Sequence, residues 1–245
     1  MTAPPSVIVA LDVPAPEAAL DWVRRLKPAF ASGSLAASQT PCFKLGLQLF
    51  CLGGPDLVRA FKAEGVDVFL DLKLHDIPHQ VEGACHALKD LGVKYLTIHT
   101  SGGLAMMQAA ARVFEGTDTC VLGVTLLTSL DETHLDTFFP NSALNRSAVV
   151  PHWATLARQA GLGGVVCSAY ENQAIRQAVD NTLALVNPGI RWPGDSHDDQ
   201  KKVVSPQDAA RLGANAIVMG RSILGANDPL HRCTEVLEAL SAVCP

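Results

Sequence analysis

Long apolar runs are missing from this sequence. Although 48% of its 245 residues are hydrophobic and only 18% are charged, no stretch approaches the roughly 18 uninterrupted apolar residues that a membrane helix needs. Basic charge is also in short supply, with 19 Lys and Arg against 24 Asp and Glu and a net charge of −5. Phosphate backbones demand a basic surface, so nonspecific nucleic-acid binding is disfavoured, and an anionic small ligand must find its positive partners locally. No C-x-x-C pair occurs among the cysteines at 42, 51, 85, 120, 167, 233 and 244, and their odd number argues against a closed disulfide framework. Most sit among apolar neighbours, Cys120 and Cys167 within strand-like runs, where a thiol acts as a small hydrophobe. The start, MTAPPSVIVALD, has no basic region followed by a long apolar run. No signal peptide is expected, and a cytoplasmic location is the default.

Other absences bear on chemistry. There is no G-x-S-x-G elbow, no Ser–His–Asp or Cys–His pairing, and no HExxH or similar close-spaced histidine ligands. Low-complexity linkers and abrupt shifts of composition are lacking too, so a single domain over residues 1–245 is expected.

What the chain does contain is an alternation. Short, continuous, β-branched-rich apolar runs occur at 6–12, 42–47, 66–74, 95–100, 119–128, 164–168, 183–190 and 216–223. Runs of this kind suit parallel strands covered on both faces. Amphipathic helical patterns separate them, such as PEAALDWVRRL, PDLVRAFKAEG and HWATLARQAG, several opening at Pro or Asp and several closing at Gly. Eight such strand–helix units predict an α/β fold, a (β/α)8 barrel. The competing doubly wound sheet usually announces itself with G-x-G-x-x-G after the first strand, which is absent after Asp12. In a barrel the chemistry sits at the carboxyl ends of the strands, which makes Asp12, Lys44, Asp71, Lys73, Asp76, His99, Thr128, Asn187 and Arg221 the candidates.

The third strand ends in DLKLHDIP, Asp71 to Pro78. Residues two apart in a strand share a face, so Asp71 and Lys73 should point the same way. Burying charges is expensive unless they are paired or used, and a structural ion pair is the bland reading of this segment. Lys44, late in the second strand, favours the other reading, a balanced cluster of Lys44, Asp71, Lys73 and Asp76 beneath a bound substrate. An oriented ammonium can stabilise a developing carbanion and then protonate it. A neighbouring carboxylate can disfavour a substrate carboxylate and keep that ammonium charged. Together these describe loss of carbon dioxide without a cofactor.

The seventh and eighth strands carry a phosphate signal. NPGIRW (187–192) ends in a Pro-Gly turn with Arg191, and a polar stretch with the character of a lid follows, ending near Gln200. MGRSI offers Gly220 for close backbone approach and Arg221 as a fork for phosphate oxygens. Loops after strands seven and eight are the usual phosphate site of such barrels.

With these residues laid out, the chain resembles the bacterial type of the orotidine 5′-monophosphate decarboxylase family nearly end to end. The resemblance rests on VALD (9–12), FKLG (43–46), DLKLHDIP (71–78), HTSGG (99–103), LLTS (126–129), VVCSA (165–169), NPGIR (187–191) and MGRSI (219–223). It implies a homodimeric barrel converting orotidine 5′-monophosphate to uridine 5′-monophosphate and carbon dioxide in pyrimidine biosynthesis, with no metal and no organic cofactor. By motif position, Lys73 resembles the general acid and Asp71 the carboxylate facing the departing group. Asp12 and Lys44 resemble ribose contacts, Lys44 also belonging to the charge network. Asp76, with Ile77 and Gln80 beside it, resembles the segment that reaches the neighbouring subunit's site. Thr128 resembles the substrate-binding threonine, and Arg191, Gln200, Gly220 and Arg221 the phosphate set. Two departures stand out: His79-Gln80 replaces the family's usual Asn-Thr, and NPGIR replaces the frequent TPGIR.

Two other readings compete with this one. A Mg²⁺-dependent sugar-phosphate decarboxylase or aldolase shares D-x-K-x-x-D but holds its metal partly through an acidic residue on the second strand, where this chain has Lys44. A non-catalytic nucleotide-binding barrel would be expected to lose Asp71 or Lys73 first, and both are present. His75, His79 and His99 are expected to be hydrogen-bonded structural residues, and none is assigned a catalytic part.

Overall fold

The continuous apolar runs become eight parallel strands in a closed barrel. They are β1 (Ser6–Ala10), β2 (Cys42–Gly46), β3 (Asp67–Leu74), β4 (Tyr95–His99), β5 (Cys120–Val124), β6 (Gly164–Val166), β7 (Ala184–Asn187) and β8 (Ala216–Met219). The computed structural model describes residues 4–31, 39–130, 132–138, 145–195 and 204–243. Strand order follows the chain, and β1 closes the ring by pairing Val9 with Met219 of β8. The expected (β/α)8 barrel is the observed fold.

The helices are α1 (Pro16–Leu26), α2 (Leu47–Ala63), α3 (Pro78–Lys89), α4 (Gly103–Val113), α5 (Glu132–Phe138), α6 (Arg146–Gln159), α7 (Asn172–Val179), α8 (Pro206–Arg211), α9 (Arg221–Leu224) and α10 (Pro229–Val243). Proline opens α1, α3 and α8, where its missing N–H costs nothing. Asn145 and Ser205 cap α6 and α8 by accepting the amides of Ala148 at 2.9 Å and Asp208 at 3.1 Å. None of these helices is long and apolar enough to cross a membrane.

Strand alternation sorts the apolar residues into two clusters. Val7 and Val9 join the large cluster shared with the helices, whereas Ile8 and Ala10 join Cys42, Phe69, Leu122, Val186, Ala216 and Val218 in a separate one. The second cluster draws on strands all around the ring and forms the plug of the barrel. Among the described residues the cysteines are free thiols. Burial pushes the Cys85 thiol up to about 12, which suits an inert structural role.

Several boundaries differ from those expected. The second strand stops at Gly46, and α2 begins at Leu47, with a kink at Gly54, whose φ of 53 is left-handed, just before Pro55. That proline opens the second half of a longer helix. The fifth strand stops at Val124, leaving Thr128 in the turn that follows, and α5 comes before α6. The eighth strand stops at Met219, so Arg221 opens the short helix α9.

Candidate active site

Gly46 pairs with Asp71 across β2 and β3, and Lys44 pairs with Phe69. Alternation therefore puts Lys44 and Asp71 on the same inward faces as Cys42 and Phe69 of the plug, one step nearer the carboxyl ends. Isolated charges above so apolar a floor would be costly, and they are not isolated. The Lys44 ammonium lies 2.9 Å from Oδ1 of Asp12 and 3.5 Å from Oδ2 of Asp71. Lys73 Nζ donates to both oxygens of Asp71, each at 2.8 Å. The outcome is a row of alternating charge, Asp12–Lys44–Asp71–Lys73.

Lys73 does not reach this row by regular alternation. β3 pairs Leu70 with Leu96 and then Leu74 with Ile98, so it carries extra residues against β4. Lys73 sits within that bulge at φ 51, a left-handed conformation that few non-glycine residues adopt. The expectation of two side chains on one face of a regular strand is thus corrected: a bulge returns Lys73 to Asp71. Thr97 of β4 holds the bulge, because its Oγ1 accepts the Lys73 amide at 2.9 Å and donates to Oδ1 of Asp71 at 2.9 Å.

Electrostatics follow from this packing. Burial pushes the Asp71 carboxyl up, but the charges of Lys44 and Lys73, with hydrogen bonds from Lys73 and Thr97, outweigh it and hold the group below its ordinary value. Asp71 is therefore an ionised carboxylate at neutral pH. His99, whose ring centroid is 5.2 Å from that of His75, has its pKa lowered by burial, then by His75 and Lys73, against an opposing effect of Asp71.

A cavity of about 450 Å³ opens above the row, lined among others by Asp12, Lys44, Gly46, Asp71, Lys73 and His99. The end of β8 lies close to β1 beside it. A Cβ at Gly220 would lie 3.3 Å from the carbonyl oxygen of Ala10 and 3.8 Å from Oδ2 of Asp12, so glycine is what lets the β8 end approach β1. Arg221 follows directly. On the β7 side, the Arg191 amide donates to the Val204 carbonyl at 3.0 Å, and Ile190 bridges Val204 in parallel, pinching the chain together beyond the Pro-Gly turn. Trp192 and Ser222, the residues after the two arginines, are joined by a 3.4 Å contact from the Trp192 amide to Oγ of Ser222.

The departure from TPGIR has a local reason. Asn187 is fully buried and exchanges amide hydrogen bonds with Asn172 at 2.8 and 2.9 Å while donating to the Cys167 carbonyl at 2.9 Å. Only a carboxamide can donate and accept in this reciprocal way.

Not every expected residue gathers here. Asp76 stands outside the charged row: its side chain is exposed, its Oδ1 accepts the following amide of Ile77 at 2.7 Å, and among the described residues it makes no ion pair. Within the single chain the second carboxylate of the row is Asp12. Ile77 is 63% exposed and Gln80 is exposed in the first turn of α3. Thr128 lies on an exposed turn whose backbone is held by Arg146, through the carbonyls of Leu126, Leu127 and Leu130 at 3.3, 3.3 and 3.0 Å. Arg146 is in turn paired with Glu171. Gln200 lies outside the described residues. Sequence reasoning passed over Thr97, Asn172, Arg146 and Glu171. Only Thr97 left a trace, a threonine between Leu96 and Ile98 in the run YLTIH.

A family model described as "Orotidine 5'-phosphate decarboxylase / HUMPS family" matches residues 5–236. The orotidine 5'-phosphate decarboxylase of Nitrosococcus oceani is 42% identical over 239 residues, covering 97% of this chain and 98% of that relative. Its counterpart in Legionella pneumophila is 41% identical over 239 residues, covering 96% and 99%. The crystal structure of orotidine 5'-phosphate decarboxylase from Lactobacillus acidophilus superposes with a TM-score of 0.81 at 29% identity, covering 97% of this chain and 99% of that one.

Proposed function

The chain belongs to the orotidine 5′-phosphate decarboxylase / HUMPS family, and from that premise we propose that it is a carboxy-lyase converting orotidine 5′-monophosphate to uridine 5′-monophosphate and carbon dioxide in pyrimidine biosynthesis. The observation that carries this reading is the row Asp12–Lys44–Asp71–Lys73 at the strand ends. Asp12 and Lys44 contact the ribose. The substrate carboxylate is held against the ionised Asp71, and two like charges about 4 Å apart repel by roughly 4 kcal/mol at an effective dielectric near 20. Departure of neutral carbon dioxide relieves that repulsion. The carbon–carbon electron pair stays on carbon six of the pyrimidine, where the Lys73 ammonium stabilises it and then donates the proton that completes the product. Solvent reprotonates the lysine.

Thr128 contacts the pyrimidine side of the ligand, and Arg191, Gln200, Gly220 and Arg221 bind its phosphate. Lys44 favours this chemistry over the metal-dependent relatives, since its ammonium occupies the space between Asp12 and Asp71 where a divalent ion would need free carboxylates. The exposed Asp76, Ile77 and Gln80 are best accounted for by a homodimer in which this segment enters the neighbour's site. The reaction is assigned to the cytoplasm, with no nucleic acid or membrane as partner.

The test is turnover of orotidine 5′-monophosphate by the purified protein in EDTA, followed by the ultraviolet change of the pyrimidine. Activity without added metal is the expected result. Inactivity that Mg²⁺ relieves would point to the sugar-phosphate chemistry instead. Mixing inactive Lys73→Ala and Asp76→Ala subunits should restore turnover in some dimers, and no recovery on exchange would count against the shared site.

A further inference from the structure

The two arginines read as the phosphate grip stand on separate segments, Arg191 after β7 and Arg221 at the start of α9. For both to meet one phosphate, those backbones must keep a fixed separation. We propose that Arg232, on α10 and outside every motif considered above, is the positioning residue that keeps it. The proposal rests on the reading of a phosphorylated ligand given above.

One guanidinium braces both segments. Its carbon lies 5.1 Å from the ring centroid of Trp192, the residue after Arg191. Nη1 donates to Oδ1 of Asp195 at 3.3 Å and to the carbonyl of Ser222, the residue after Arg221, at 3.2 Å. Nε donates to Oε2 of Glu235 at 3.1 Å, one turn along the same helix, which fixes the orientation of the group. Asp195 closes the circuit, its Oδ2 accepting the Trp192 amide at 3.3 Å. Only an arginine offers a flat face for an indole together with a fork for two acceptors.

The position of Arg232 on its helix separates this role from the packing of the barrel. Helix α10 is anchored in the core through Cys233, Val236, Leu237 and Leu240. The Arg232 side chain is partly exposed and lies off that stripe. Its interactions beyond its own helix, among the described residues, go to Trp192, Asp195 and Ser222. Removing it leaves the core intact and leaves the loop after β7 held to α9 by little more than the long 3.4 Å contact from the Trp192 amide to Ser222. The ligand must then order both segments as it binds, which costs affinity for the phosphate and not for the nucleoside.

The experiment compares Arg232→Met and Arg232→Lys with the unchanged protein by calorimetric titration of uridine 5′-monophosphate, uridine and inorganic phosphate, alongside KM and kcat for orotidine 5′-monophosphate. Arg232→Met should weaken the nucleotide and inorganic phosphate by a similar factor, about tenfold, the equivalent of one good contact. Uridine binding should be unaltered, KM should rise, and kcat should stay within about threefold. Arg232→Lys keeps the charge over the indole but not the fork, and should fall between. Asp195→Asn, a milder change at the rim, should shift phosphate affinity the same way and serves if Arg232→Met does not fold. Unchanged phosphate affinity in these variants, or an equal loss for uridine, would overturn the proposal. Normal turnover with unchanged affinity would sink the brace alone. Absent turnover in the unchanged protein, with phosphate binding that still depends on Arg232, would sink the reaction and leave the brace standing.

Discussion

Thr97 holds Lys73 in its left-handed conformation: the Lys73 amide donates to Thr97 Oγ1 at 2.9 Å, and that hydroxyl donates onward to Asp71 at 2.9 Å. A φ of 51 costs a lysine about 1–2 kcal/mol, and the fully buried threonine is what offsets it. Through one hydroxyl, the backbone that aims the ammonium and the carboxylate that receives it are fixed to the same strand.

Thr97→Val keeps the shape and removes the hydroxyl. The part-buried Lys73 amide loses its partner, a loss on the order of 1 kcal/mol, and the thermal midpoint should fall accordingly. Turnover should fall with it, because Lys73 is no longer aimed, and Thr97→Ser should restore both. A valine variant with unaltered kcat would show that the bulge needs no help from β4.

How much of this was legible in the sequence differs from one residue to the next. The barrel was legible because buried parallel strands must be apolar throughout, and SVIVA or AIVM can hardly be anything else. Lys44 and Asp71 were legible because charges at such strand ends require a purpose. The bulge at Lys73 was not, since its φ is imposed by Thr97, 24 residues further on, and no local propensity marks it. Nor was the place of Asp12 in the row legible, since its pairing with Lys44 joins residues 32 apart in the chain. Arg146, Asn172 and Arg232 act through pairings across the fold, which a sequence alone does not disclose.

Lys73→Ala separates binding from chemistry. Nucleotide affinity should stay within about tenfold of the unchanged protein, because Asp12, Lys44 and the arginines remain. Turnover should fall by about 10²–10⁴-fold or more, the range a positioned proton donor supplies. Asp71→Asn should tighten orotidine 5′-monophosphate relative to uridine 5′-monophosphate, since the repulsion of the substrate carboxylate is gone. Comparable kcat in the alanine variant, or an unchanged affinity ratio in the asparagine variant, would remove the corresponding role.

Arg146 and Glu171 set the turn that carries Thr128. Burial, the largest influence, pushes the Glu171 carboxyl up against the opposing charge and hydrogen bond of Arg146 and the amide of Ser168. Arg146→Met leaves that carboxylate without its cation and takes the guanidinium from the carbonyls of Leu126 and Leu130, so a loss on the order of 3 kcal/mol is expected. Arg146→Met combined with Glu171→Gln should be less damaging than the single change, as no unpaired charge is left behind. Calorimetric unfolding of the three proteins measures this, and strictly additive losses would mean that the pair does not act as a unit.

His99 should make the fold sensitive to mild acid. Its folded pKa lies below the ordinary 6.5, through burial first and then the charges of His75 and Lys73, with Asp71 opposing. Below 6.5 the unfolded chain therefore takes up a proton that the folded chain refuses. Stability contributed by the neutral imidazole is complete above 6.5 and is lost progressively as pH falls toward the lowered folded value. His99→Gln keeps a polar side chain of similar reach and cannot titrate. Thermal midpoints measured from pH 7.5 down to 5 should fall less steeply for this variant than for the unchanged protein, the two curves converging or crossing as the pH drops. Parallel curves would mean that His99 ionises alike in both states, and the slope would then have to come from other groups.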